Sequence, residues 1–161
     1  SNVLGSQVGT LAMWFYARGP WYKYHPLVDN SVNIEYWEGW IYDTGVFAMR
    51  VSTLTGGGRV AYDLDNLGGP NTWYHIAYTW NRYAQQAKLY INGVLRDTQP
   101  LTDTGWVNPD STLRIGSFNS SNCAANGIWD EVRVYNRALT EEDIVKLMAL
   151  PPPRGTQIKL F

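Results

Sequence analysis

The chain has 161 residues, of which 45% are hydrophobic and 17% are charged, and its formal net charge is −1. This length suffices for one domain that buries roughly 70% of its unfolded surface. The near-zero net charge excludes the basic field that draws proteins to phosphate backbones, so nucleic acid is not an expected partner. No apolar run approaches the roughly 20 residues that span a bilayer, so we expect no membrane insertion. Cys123 is the single cysteine, and an intrachain disulfide is therefore excluded.

Short alternating or apolar runs, separated by clusters of Gly, Asn, Asp and Pro, predict strands along most of the chain. They fall at 10–18, 26–29, 33–42, 46–53, 58–64, 73–81, 87–92, 95–99, 112–118 and 127–135. One helix is predicted over 140–149, because Ile144, Leu147 and Met148 share a face and Thr140 is a good N-cap. This pattern is typical of an all-β fold, an antiparallel β-sandwich or jelly roll with one short C-terminal helix.

The chain after the helix differs in character. Three consecutive prolines, 151–153, stop helical structure, and residues 156–161 then alternate between apolar and polar. We therefore divide the chain into a domain over 1–150 and a segment over 151–161, which is a proline-rich spacer and a candidate final strand. We expect residues 157–160 to pair with an edge strand of this molecule or of a neighbour. A frayed end is the alternative.

The strand predicted over 127–135 leads through a turn directly into the capped helix. Its alternation places three residues towards a core: Ile128, Val132 and Val134. It places three others away from that core: Glu131, Arg133 and Tyr135.

Strand, turn and capped helix in this order resemble the closing segment of the laminin-G-like domains of the concanavalin A-like lectin/glucanase superfamily. The tryptophan–histidine strand at 73–80, the Asn-Gly turn at 92–93 and the short strand at 113–116 carry the same resemblance. The resemblance covers most of 10–147 and implies a concanavalin A-like jelly roll. It also implies a domain that binds carbohydrate or adheres, within a larger secreted or surface-displayed protein.

Glucanases share this fold, so the resemblance also raises a catalytic role for acidic residues. The family's catalytic strand carries a Glu-x-Asp-x-x-Glu pattern, which this sequence does not contain. Glu35 and Glu38 are three residues apart and so fall on opposite faces of a strand, while Asp63 and Asp65 border a glycine-rich turn. We therefore predict that the chain is not an enzyme. An atypical glycoside hydrolase is the least favoured interpretation.

The candidate ligand-binding residues are aromatic, because flat rings suit the apolar faces of sugars. Alternation places Trp14, Tyr16, His75 and Tyr90 on the face away from the main core, on strands that resemble the family's concave sheet. They either line an open binding surface or form a minor core beneath covering loops.

Further aromatic candidates are Trp21, Tyr22 and Tyr24 in the loop at 21–25, and Trp37 and Trp40, which flank Glu38-Gly39 within the strand predicted over 33–42. Aromatic loops often contact ligands. The alternative for the segment at 21–25 is a lid over the sheet edge.

The resemblance also implies a structural Ca²⁺ held by oxygen ligands, with Asp130 at the position of the family's closing-strand aspartate. Residues 1–9 lack the family's usual first-strand pattern, which removes some donors. The alternative is that Asp130 accepts hydrogen bonds from a turn.

The sequence thus predicts a non-catalytic module that binds carbohydrate or a surface glycan. The main alternative is a structural or adhesion domain of a virion or cell-surface assembly, with protein partners.

Overall fold

The computed structural model describes residues 7–21, 25–30, 36–53, 56–102, 113–118, 124–149 and 158–160. The strands in chain order are β1 (Val8–Ala17), β2 (His25–Asp29), β3 (Tyr36–Ile41), β4 (Val46–Thr53), β5 (Gly56–Asp63), β6 (Trp73–Asn81), β7 (Gln86–Ile91), β8 (Val94–Pro100), β9 (Arg114–Ile115), β10 (Gly127–Tyr135) and β11 (Ile158–Leu160). A 3-10 helix, Leu64–Leu67, follows β5, and helix α1 spans Glu141–Met148. No helix in the described ranges is long and apolar enough to cross a membrane.

The strands form two sheets that pack face to face. The first sheet has the order β11-β10-β1-β6-β7-β8 and the second has the order β5-β4-β3-β2-β9. Neighbouring strands are antiparallel, except that β11 runs parallel to β10. Hairpins connect β3, β4 and β5 and also β6, β7 and β8, whereas β1 lies between two strands that are distant in sequence. The predicted antiparallel jelly-roll sandwich is confirmed.

The main core lies between the sheets and consists of alternate residues from their strands. The residues predicted for it are buried there: Leu11, Phe15, Ile76, Leu89, Ile91, Val132 and Val134. Ile115, also predicted, packs against the core but is only half-buried. Burying an aliphatic or Phe side chain contributes about 1.5–3 kcal/mol, so this interface is the main source of stability.

A bulge in β10 reverses the direction of its side chains. Ala12 pairs with Arg133, but Trp14 pairs with Asp130, so β10 has one extra residue there. Glu131 lies in the bulge with a φ of 47°, in the left-handed region. Before the bulge, Trp129 packs against the main core, and Ile128 lies opposite Tyr16 on the other face. The prediction that Ile128 faces the core is therefore wrong, because strict alternation does not anticipate an inserted residue.

Helix α1 packs against the outer face of the first sheet, which is the face turned away from the main core. Ala12, Ala77 and Tyr90 of the sheet and Leu139 and Ile144 of the helical segment form a second, minor core. The helix begins with a capping box, in which Thr140 accepts a hydrogen bond from the N–H of Asp143 and the Asp143 carboxylate accepts one from the N–H of Thr140.

The C-terminal strand β11 extends the first sheet beyond β10. Its backbone lies opposite Val132, Arg133 and Val134. Adding a strand there uses backbone groups that an open sheet edge leaves unpaired. The division of the chain at residue 150 stays a prediction.

Candidate functional site

The outer face of the first sheet carries an aromatic surface beside the minor core. Trp14 and Tyr16 of β1 lie opposite His75 and Trp73 of β6, so all four side chains point to this face. Trp14, Tyr16 and Trp73 are half-buried, and we call these three residues the aromatic platform. Each ring is thus held by the sheet and still reaches solvent.

The platform rings contact one another. The centroids of Trp14 and Trp73 are 6.5 Å apart at an interplanar angle of 81°, and those of Tyr16 and Trp73 are 5.4 Å apart at 49°. These edge-to-face and tilted arrangements are favourable for aromatic pairs. Because each ring limits the movement of the next, the surface is formed before any ligand binds.

His75 lies across the strand pair from Trp14 and packs against the platform. Its ring lies 5.2 Å from Trp14 in an edge-on contact, and only 3% of the residue is exposed. Burial, assisted by the charge of Arg133, lowers the pKa of His75 to about 4, so the imidazole is neutral at neutral pH.

Charged residues of the β10 bulge border the platform. Asp130 lies opposite Trp14, and its Oδ1 accepts a hydrogen bond of 2.8 Å from the N–H of Glu131. The Glu131 carboxylate accepts a hydrogen bond from the Arg133 guanidinium, and both side chains are 10% exposed. The bulge thus adds the Asp130 carboxylate to the outer face, beside the Glu131–Arg133 ion pair.

Polar residues lie where the strands of the platform end. The Arg18 N–H donates to the carbonyl of Asn126, and the Asn71 Oδ1 accepts from the N–H of Gly19. Arg18, Asn71 and Asn126 are exposed. The aromatic rings are therefore followed by donors and acceptors that a hydroxylated ligand can use.

The structure separates the other predicted residues from this surface. Tyr90 lies on the same face but is buried in the minor core. Trp21 donates a 2.7 Å hydrogen bond from its indole to Asp65 and lies edge-on to His25. Trp40 is on the second sheet, 6% exposed, with the Arg50 guanidinium 5.4 Å from its ring centroid.

Three of the predicted aromatic side chains lie outside the described part of the chain. Tyr22 and Tyr24 lie outside the described residues. Trp37 pairs with Val51 through its backbone in β3, and its side chain lies outside the described part of the chain.

Both alternatives for the outer face therefore apply, each to one part of it. Tyr90 belongs to a covered minor core, whereas Trp14 and Tyr16 remain partly open. Trp73 was not among the predicted binding residues, although alternation from His75 places it on the same face. Its proximity to Tyr16 depends on the pairing of β1 with β6, which the local pattern does not reveal.

Asp130 is the residue that the family resemblance assigns to Ca²⁺. Ca²⁺ takes 6–8 oxygen ligands, but one oxygen of Asp130 accepts the amide of Glu131 and the Glu131 carboxylate is paired with Arg133. Among the described residues, no group of three or more His, Cys, Asp or Glu side chains comes together. Ca²⁺ at Asp130 therefore stays a prediction that rests on the family resemblance.

Of the two acidic pairs, 35/38 and 63/65, the three residues that the structure describes make structural contacts. Asp63 accepts the N–H of Asp65 at the start of the 3-10 helix, and Asp65 accepts the Trp21 indole. Glu38 forms an ion pair with Arg50 at 3.2 Å, and burial raises its pKa despite that arginine. Glu35 lies outside the described residues.

Solved structures with the same fold include binding domains of botulinum neurotoxins. The serotype D binding domain superposes with a TM-score of 0.75 and 20% identity, over 92% of this chain and 38% of that one. The binding domain of botulinum neurotoxin DC in complex with SialylT gives a TM-score of 0.68 and 18% identity, over 91% of this chain and 36% of that one. At these identities the likeness establishes the fold.

Sequence relatives come from a bacterium and from human. The botulinum-like toxin eBoNT/J of an Enterococcus species is 30% identical over 77 residues, which are 48% of this chain and 6% of the toxin. The human adhesion G-protein coupled receptor D1 is 35% identical over 78 residues, which are 45% of this chain and 8% of the receptor. The chain thus matches a small part of each relative.

A family model of laminin G domains, from the concanavalin A-like lectin/glucanases superfamily, matches residues 1–145 of this chain. The chain therefore belongs to that family.

Proposed function

We propose that this domain is a non-catalytic carbohydrate-binding module that acts outside the cell and holds a sugar on the aromatic platform. The observation that carries the proposal is the group of three half-buried rings, Trp14, Tyr16 and Trp73, packed side by side on an open part of the sheet. Sugar rings present apolar C–H faces, which favour contact with a flat aromatic surface, and hydroxyl groups at their rims.

The surroundings of the platform supply partners for those hydroxyl groups. Asp130 and the Glu131–Arg133 pair lie along one side, and the exposed Arg18, Asn71 and Asn126 lie at the end of the strands. A few polar groups beside a mostly apolar contact surface are typical of small-molecule sites. Neutral His75 fixes the orientation of Trp14 without adding a charge.

The absence of catalysis is part of the proposal. A retaining glycosidase places two carboxyl groups about 5–5.5 Å apart across the bond to be cut. Asp63 instead accepts a hydrogen bond at the start of the 3-10 helix, and Asp65 accepts one from the Trp21 indole. Glu38 forms an ion pair with Arg50. These contacts favour a structural role over a catalytic one for all three acidic residues.

The relatives support the glycan class and the extracellular location. The similar solved structures are toxin binding domains, one of them in complex with SialylT, and one sequence relative is an adhesion receptor. A surface glycan is therefore the ligand we propose.

Binding to a protein partner is the second candidate function. Val94, Leu95 and Val145 are large apolar residues that are exposed on β8 and α1. The side chains of Val145 and Met148 lie beside Gly93 in the β7–β8 turn, and Leu95 lies opposite Tyr90 on the same outer face, so helix and hairpin present a joint apolar surface. Such a surface suits adhesion to a protein.

A glycan array followed by calorimetry tests the proposal. Trp14→Ala and Trp73→Ala should each weaken binding of the best array ligand by about 1–3 kcal/mol, as expected when a ring at the centre of a contact is removed. Tyr83→Ala is the matched control, because Tyr83 is an aromatic residue that is 81% exposed in the β6–β7 turn. Unchanged affinity in both tryptophan variants, with melting curves like that of the wild type, would reject the platform as the site.

A further inference from the structure

A polar groove lies on the outer face at the opposite end of β6 from the platform. Its volume is about 360 Å³, within the usual range for small-ligand sites. Two cross-strand pairs line its sheet side, Thr79 with Lys88 and Asn81 with Gln86, and Thr140 and Glu141 line its helix side. Thr79 and Trp73 are six residues apart along β6, or roughly 20 Å, so the groove and the platform are separate.

The helix wall of the groove is fixed to the sheet. The buried Thr10 hydroxyl donates to the carbonyl of Arg137 and accepts from the N–H of Leu139, both at 2.9 Å. Leu139 and Ile144 anchor the same segment in the minor core. The groove therefore keeps its shape without a ligand, which lowers the entropic cost of binding.

Internal hydrogen bonds orient the polar groups of the groove. The Asn81 Oδ1 accepts from the N–H of Ala84, which leaves its amide nitrogen as a donor. The Thr140 hydroxyl accepts from the N–H of Asp143, which leaves its own hydrogen to donate. Burial and the nearby Glu141 carboxylate raise the pKa of Tyr90, so that phenol keeps its proton.

The charges of the lining residues indicate the kind of ligand. Lys88 contributes one positive charge and Glu141 one negative charge, so the lining is neutral overall. Hydroxyl groups both donate and accept, and they match a lining that mixes an ammonium, a carboxylate, amides and hydroxyls. A strongly acidic ligand would meet the Glu141 carboxylate and be disfavoured.

We propose that this groove is a second subsite, specific for a short neutral saccharide. The inference rests on the proposed function, because it assigns the same class of ligand to a different part of the outer face. Lys88 and Asn81 donate to sugar hydroxyls, Glu141 accepts from them, and Tyr90 forms part of the floor. Two subsites on one domain would let a branched or repeating glycan bind at both, which raises its overall affinity.

Amide NMR titrations of the full chain with lactose, cellobiose and maltose test the proposal. At least one of these neutral sugars should shift the amides of Thr79, Lys88 and Glu141, with roughly millimolar affinity. Lys88→Met, which keeps the aliphatic stem, should weaken that binding about tenfold, because it removes a charge-assisted hydrogen bond. Lys146→Met is the control, since Lys146 lies on α1, is not among the residues that line the groove, and is paired with Glu142.

A filling variant makes the test independent of charge. Ala84 is exposed and lines the groove, so Ala84→Trp should fill it without removing a buried group and should abolish the shifts. If no sugar shifts the groove amides, or if neither variant weakens the binding, the subsite does not exist. Shifts confined to the neighbours of Trp14 and Trp73 would overturn the groove and leave the proposed function intact. Shifts confined to the groove would support the subsite, and the platform would then be judged by its tryptophan variants with the array ligand.

Discussion

His75 makes the stability of the domain depend on pH. Burial and the charge of Arg133 lower its pKa from the ordinary value of 6.5 to about 4. Between these values the unfolded chain binds a proton that the folded chain does not, so acid favours unfolding. The contribution of neutral His75 to the unfolding free energy is fully present above about pH 6.5 and is lost as the pH falls to about 4. Each tenfold change in proton affinity corresponds to about 1.4 kcal/mol, so the loss should be roughly 3 kcal/mol.

Urea denaturation of the wild type and of His75→Phe measures this loss. The variant keeps a ring against Trp14 but cannot bind a proton. Between about pH 7 and pH 4 the wild type should lose roughly 3 kcal/mol more unfolding free energy than the variant. His25, whose pKa burial also lowers, is present in both proteins, so its contribution cancels in the comparison. Parallel pH profiles for the two proteins would refute the assignment of a neutral, buried His75.

Three other substitutions test the packing around the site. Arg133→Met leaves the Glu131 carboxylate buried without its partner and should cost about 3–5 kcal/mol in urea denaturation; the double variant with Glu131→Gln should recover most of this, and no recovery would show that the pair is not coupled. Gly127→Ala should cost about 1–3 kcal/mol, because the new Cβ would lie 2.5 Å from the Phe15 ring; an unchanged melting temperature would contradict that contact. Thr140→Ala removes the N-cap of α1 and should cost about 1 kcal/mol in thermal unfolding; no loss would mean that the capping box is not formed in solution.

Local patterns predicted most of the fold. Alternation in β1, β6 and β7 identified the buried faces, and Thr140 with its acidic first turn located the start of α1. Boundaries differ by a few residues, as for β1, predicted over 10–18 and found at Val8–Ala17. The predicted strand at 112–118 is reduced to Arg114–Ile115, followed by a bridge from Ser117 to Ala124. The side-chain direction before the β10 bulge was predicted wrongly, because one residue in a left-handed conformation exchanges the two faces.

The candidate site was only partly predictable, because its parts meet through long-range pairing. Alternation placed Trp14, Tyr16 and His75 on one face, and the structure brings them together. The helix packing that buries Tyr90 depends on the bonds of the Thr10 hydroxyl to a segment more than a hundred residues away. The burial of Trp40 beneath Arg50 likewise depends on the pairing of β3 with β4. Such contacts determine side-chain exposure, and the sequence of a single strand does not reveal them.

A crystal structure of the domain with its strongest glycan-array ligand tests the central claim most directly. The account predicts a sugar ring with its apolar face against Trp14 or Trp73 and its hydroxyl groups near Asp130, Arg18 or Asn126. A ligand bound elsewhere, with the platform still in contact with solvent, would contradict it.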